Sequence, residues 1–149
     1  MKLEEEIRQK TFKDPFIKAV ININFTSVWL NARQNQVIKP YGISIQQFNI
    51  LRILKGQYPN TAPLKLLTER MIDKMSNTSR LVEKLRTKNL VERHICPDNR
   101  RQVDIIITEK GLELVNEVSD VLDRLFAEIN KLSDDEAEEL NRLLDKIRS

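Results

Sequence analysis

Apolar residues recur along most of this chain at intervals of three and four, the spacing that lines one face of a helix. Asp14-Pro15 opens the first such stretch: Asp14 can cap free amides, and Pro15 sits where its missing N–H costs nothing. Phe16, Val20, Ile23, Trp29 and Leu30 follow, out to about Val37. They spread around much of the helix, which predicts neighbours on several sides. Lys39-Pro40-Tyr41-Gly42 ends the run, because Pro40 breaks the pattern and Gly42 tolerates positive φ. Ser44 and Gln47 stand at capping-box spacing, with Ile45, Phe48, Leu51 and Leu54 recurring behind them. Residues 56–63, with two prolines, read as a connector into a short helix over about 64–70 that turns Leu64, Leu67 and Met71 inward.

A tight link over 71–75 leads to a helix predicted over about 76–88. Thr78, Leu81, Val82 and Leu85 share one face; Ser76, Arg80, Glu83 and Thr87 share the opposite one, flanked by Ser79 and Lys84. No acid stands in its first turn, where many solvent-facing helices carry one. The period then drops to two: Val91 and Ile95 alternate with Glu92 and His94, and Val103, Ile105 and Ile107 with Asp104. Pro97-Asp98-Asn99-Arg100-Arg101 joins these two strands into a hairpin with a basic tip. Beyond residue 109 the helical period returns in Val115, Val118, Leu122, Leu125, Ile129 and Leu132, the seam of a helix that packs along another. Ser133 and Glu136 cap a last helix striped by Ala137, Leu140, Leu144 and Ile147. Both stripes predict a partner. The expected fold class is mainly α with a small β-hairpin (α+β).

Composition removes whole classes of function. At 149 residues the chain suits one domain. It has no apolar run near the ~20 residues of a spanning helix, and its first residues lack the apolar core of a secretory signal. One cysteine, Cys96, and one histidine, His94, exclude an internal disulfide and make a metal cage improbable; the expectation is no cofactor, no metal and a reducing, cytoplasmic setting. Gly42, Gly56 and Gly111 lie too far apart to form a phosphate-cradling loop, and no nucleophile–base pair can be assigned. The chain reads as a non-enzyme.

Charge is unevenly placed. Residues 1–63 hold nine Lys/Arg against four acids, residues 64–108 ten against six, and residues 109–149 six against twelve. A basic front and an acidic tail suggest a part that faces a polyanion joined to a part that avoids one.

Two short helices joined by a tight turn, then an arginine-tipped hairpin, form a winged helix-turn-helix order. A helix fits the major groove of B-DNA, where short Ser and Thr side chains adapt to base edges and Arg80 can hold a guanine or clamp a phosphate. Arg100 and Arg101 at a hairpin tip can enter the neighbouring minor groove, where negative potential is focused. Free amides at the start of the reading helix can accept a phosphate.

Three segments in order carry a family resemblance. GISIQQFNILRIL resembles G-L-T-x-x-Q-[FW]-x-[VI]-L-x-x-L; SRLVEKLRTKNLVER resembles T-R-L-[VI]-x-x-L-x-x-[KR]-G-L-[VI]-x-R; NRRQVDIIITEKG resembles D-R-R-x-[VA]-x-[VI]-x-[LI]-T-x-x-G. The chain is thus identified over about residues 41–111 as similar to the MarR (multiple antibiotic resistance regulator) transcription factors. The resemblance implies a single domain over 1–149, with a winged helix-turn-helix lobe over 41–108 and a helical dimerisation region over 1–38 and 109–149. It implies a cytoplasmic homodimer on a pseudo-palindromic operator in double-stranded DNA, acting as a repressor that answers a small-molecule effector, with no membrane partner. Ser76, Asn77, Thr78, Ser79, Arg80 and Lys84 occupy the reading positions, and Arg100 and Arg101 the wing positions. Trp29, Tyr41 and Phe48 fall in the neighbourhood of an effector pocket. Asn99 stands where the family has an acid, with Asp98 one residue earlier, so either can brace the arginines. Asn89 replaces a helix-ending glycine and is the next best residue at positive φ. Glu83 is awkward beside phosphates but can accept from a cytosine amino group. Cys96 is read as a structural thiol and His94 as a strand-surface residue. A metal- or redox-responsive winged-helix sensor and a protein-binding winged helix without DNA remain the alternatives.

Overall fold

Three of the sequence's cap signals are made as hydrogen bonds in the computed structural model, which describes residues 1–149. Asp14 accepts from the Ile17 N–H at 2.8 Å and starts α2 (Pro15–Ile38). Before it, the short α1 (Leu3–Glu6) is tied back by an ion pair between Glu4 and Lys18. A 3-10 turn over Lys39–Tyr41 and Gly42 at φ +72° redirect the chain. Ser44 and Gln47 then close a reciprocal capping box on α3 (Ile45–Gln57), with bonds of 3.1 and 2.9 Å. Ser133 and Glu136 do the same for α7 (Asp134–Arg148).

The remaining elements are β1 (Ala62–Pro63), α4 (Leu64–Arg70), α5 (Thr78–Thr87), β2 (Val91–Cys96), β3 (Asn99–Ile107) and α6 (Glu109–Ile129). The expected hairpin is two strands of a three-stranded antiparallel sheet in the order β1-β3-β2, with Ala62 opposite Ile105. A two-residue strand ending in proline has no alternation to read, so its pairing emerges only when α4 brings it beside β3.

Ile50, Leu51 and Leu54 of α3 form a sealed core with Leu67, Met71, Leu85, Val91, Ile105 and Ile107. Val115, Val118, Leu122 and Leu125 of α6 belong to the same cluster, since α6 lies against both α2 and α3. Each such side chain contributes on the order of 1.5–3 kcal/mol relative to exposure. The 3-4 seam of α6 is therefore satisfied within the chain, contrary to the expectation that it awaits a partner; only Leu132 at its end stays exposed.

The expectation for α2 is corrected too. Ile38 is its only buried residue within the chain, its other apolar residues being half-buried or, like Phe16, Val28 and Trp29, exposed. No residue of α7 is buried; Leu140, Leu143 and Ile147 are exposed and face a groove shared with Ile23 and Leu30 of α2. No helix is long and apolar enough to cross a membrane.

Candidate nucleic-acid interface

Helix α5 begins one turn-corner later than its sequence pattern suggests. Asn77 is the N-cap, its side chain accepting from the Arg80 N–H at 3.1 Å, so Ser76 lies before the helix in the linker. That linker is held by Asp73, whose carboxylate accepts from the Met75 N–H at 2.9 Å. Val82 and Leu85 fasten the inner face of α5 to the core. Ser79, Arg80 and Lys84 are exposed on its outer side, and no acid stands in its first turn.

Thr78 is corrected. It is 5% exposed and its hydroxyl has no hydrogen-bond partner, as has the hydroxyl of half-buried Ser76. Thr78 shares the face of Val82 and Leu85, so the packing that anchors α5 draws it inward and away from any ligand outside.

After α5, Asn89 at φ +59° turns the chain into β2, as the substitution of asparagine for glycine predicts. Val91, Ile105 and Ile107 are buried, but Ile95 is 70% exposed, against the alternation that assigns it inward. From Ile95 onward the hairpin extends past the core, with a register shift between Ile95 and Cys96. Only Pro97 and Asp98 form the turn; Asn99, Arg100 and Arg101 already lie in β3, and all three are exposed. Asn99, rather than Asp98, braces this end, accepting from the Arg101 N–H at 3.1 Å. His94 is exposed beside Glu92, and Cys96 is a half-buried free thiol.

Glu83 is not left bare. Its carboxylate accepts from Arg86 at 2.5 Å and from Arg93 of β2 at 3.3 Å. The Arg86 hydrogen bond, followed by the charges of Arg86 and Arg93, holds its carboxyl below the usual range. The spacing of Glu83 and Arg86 is legible on a helix wheel, whereas Arg93 reaches the pair only because β2 packs beside α5.

Trp29, Tyr41 and Phe48 do not converge. Phe48 lines a cleft of about 630 Å³ among α2, α3 and α6, with Asn31, Gln34, Arg52 and Asp123. Tyr41 lines a different cleft with Lys88 and Lys110, and Trp29 lies on the α2 surface, its ring 5.4 Å from the Arg33 guanidinium.

The chain that carries this basic-edged helix and arginine-bearing hairpin matches known proteins over most of its length. The HTH-type transcriptional regulator MgrA of Staphylococcus aureus is 34% identical over 113 residues, 76% of this chain and 75% of MgrA. The MarR family profile matches residues 43–103. The chain belongs to the MarR family. MarR proteins are DNA-binding transcriptional regulators, not enzymes. Among solved structures, a mutant MarR of E. coli complexed with operator DNA shares the fold, with a TM-score of 0.75, 20% identity and 99% of each chain covered. BpsR of Bordetella bronchiseptica, whose DNA binding is regulated by 6-hydroxynicotinic acid, superposes with a TM-score of 0.76 at 20% identity, covering 89% of this chain and 99% of BpsR.

Proposed function

We propose that this MarR protein is a ligand-responsive repressor that works in the cytoplasm as a homodimer on a pseudo-palindromic operator. The observation that carries the reading is the outer side of α5, where Ser79, Arg80 and Lys84 stand exposed, together with exposed Arg100 and Arg101 on the hairpin whose first strand packs against α5. Ser79 and Arg80 read base edges in the major groove, and Lys84 neutralises phosphate. Asn77 orders the first turn, and Ser76 supports it from the linker. Arg100 and Arg101 enter the adjacent minor groove. The operator complex of the E. coli relative supports this assignment.

Residues 41–108 form the DNA-binding lobe, and the helices over 1–38 and 109–149 hold the dimer. The exposed apolar stripe of α7 opposite α2 supports a symmetric partner, which sets two reading helices about one DNA turn (~34–36 Å) apart. The cleft lined by Phe48 and Arg52 supports an effector site at the junction of these parts, as BpsR is regulated by a small aromatic acid. An effector acts by binding more tightly to a dimer geometry that no longer matches the operator.

Selection of bound duplexes from a random DNA pool tests the reading. The expected product is an inverted repeat with half-sites one turn apart. Enrichment of an unrepeated site refutes the dimer geometry, and absence of enrichment refutes the interface.

A further inference from the structure

Glu83 is the only acid on α5, and it lies on the outward side between Arg80 and Arg86. A carboxylate in that place repels a polyphosphate unless it is compensated. Here Arg86, three residues on in the same helix, supplies Nη2 at 2.5 Å and Nε at 3.0 Å. Arg93 supplies Nη1 at 3.3 Å from β2, where it stands opposite Ile105 of β3. This is the one side-chain ion pair that crosses from α5 to the sheet.

The site of that crossing matters because it lies where the hairpin leaves the core. Arg93 is two residues after buried Val91 and two before exposed Ile95. At ~3.3 Å per strand residue, the turn four residues on lies roughly 13 Å beyond Arg93, so a tilt of about 10° there displaces the tip by about 2 Å. Base-edge recognition tolerates about 0.5 Å.

We propose that Glu83 is a positioning residue: through Arg93 it holds the wing at a set angle to the reading helix and so sets sequence discrimination. The inference rests on the DNA interface proposed above. Exposed ion pairs add little to global stability. The bridge instead fixes the separation between Arg80 in one groove and Arg101 in the next. It also keeps Arg86 and Arg93 from binding phosphate on any sequence, which lowers non-specific affinity.

The test compares affinity for a selected duplex with affinity for its scrambled counterpart, over a range of salt. Glu83→Gln is expected to lower the specific-to-scrambled ratio about tenfold. It should bind the scrambled duplex more tightly and steepen the salt dependence by about one released ion. Glu83→Asp keeps the charge but shortens the reach, so the ratio falls while the salt slope stays at the wild-type value. Arg93→Met lowers the ratio without steepening the slope, and the Glu83→Gln/Arg93→Met double variant loses no more than the worse single variant. If Glu83→Gln tightens both duplexes equally, the acid merely repels phosphate and the proposal is overturned. Losses that multiply in the double variant overturn it as well, by showing that the two residues act separately. A wild-type protein without a preferred duplex brings down the interface itself, an outcome distinct from an unchanged ratio in the variants.

Discussion

The Thr108 hydroxyl donates to the Asn89 carbonyl at 2.8 Å, joining the turn that ends the α5 region to the start of α6. The same oxygen accepts from the Gly111 N–H at 3.0 Å as the N-cap of α6. One side chain thus fixes how α6 leaves the sheet, and it does so at a point of very close packing. A Cβ built on Gly111 collides with the Leu90 carbonyl oxygen and crowds Ile107. Gly111→Ala is therefore expected to cost about 1–3 kcal/mol, as overpacking of a tight contact does. Urea denaturation checks it; an unchanged midpoint shows that α6 can shift freely.

Thr78 makes the opposite prediction. Its buried hydroxyl has no partner, so Thr78→Val exchanges an unpaired polar group for a methyl of the same shape. A gain of about 1 kcal/mol follows. The sequence recovered from a random DNA pool should be the wild-type one; a changed sequence would return Thr78 to the interface.

Arg80 and Arg101 should fail differently. Arg80→Ala is expected to cost about 1–3 kcal/mol on the selected duplex and to relax preference at one position of each half-site. Arg101→Ala should weaken binding broadly and reduce the salt slope by about one ion for each phosphate that Arg101 neutralises. Equilibrium titrations of both variants on matched and scrambled duplexes separate these patterns. Identical behaviour of the two on both duplexes contradicts the division of labour between helix and wing.

The proposed dimer predicts that a charge on the α7 stripe separates the subunits without unfolding them. Leu144 lines the groove with α2, and nothing in α7 is buried in the chain. Leu144→Glu should halve the mass seen by light scattering at micromolar concentration while far-ultraviolet circular dichroism keeps its helical signal. A wild-type protein that is already monomeric there disposes of the dimer.

Acid should dissolve the Glu83 bridge. Arg86 hydrogen bonding first, then Arg93, lowers the Glu83 pKa in the folded protein below the ordinary 4.5. Because the folded value is the lower one, the stabilisation is complete above the ordinary value and disappears as pH falls through the lowered one. The Glu83 carboxyl carbon, followed by NMR against pH, should titrate below the same group in the urea-unfolded chain, while the urea midpoint itself moves little. A folded-state titration at or above that of the unfolded chain shows that the bridge does not form.

Local chemistry determined much of this protein from sequence alone. Asp14, Ser44 and Ser133 cap their helices because a cap needs only its own next three residues. Asn89 takes positive φ for an equally local reason, and the hairpin follows from a period of two. The three ordered segments around the reading helix and wing were sufficient to indicate the family. Tertiary structure decided which faces meet, and no local pattern encodes that. It buried Thr78 while leaving Ile95 exposed, because α5 sits on the core and the hairpin outruns it. It paired Ala62 with Ile105, and it covered the α6 seam with α2 and α3 instead of a second chain. It sent Trp29, Tyr41 and Phe48 to three separate surroundings and brought Arg93 to Glu83. Periodicity names the apolar side of each element, whereas its neighbour is selected by the global packing that leaves the least apolar surface in water.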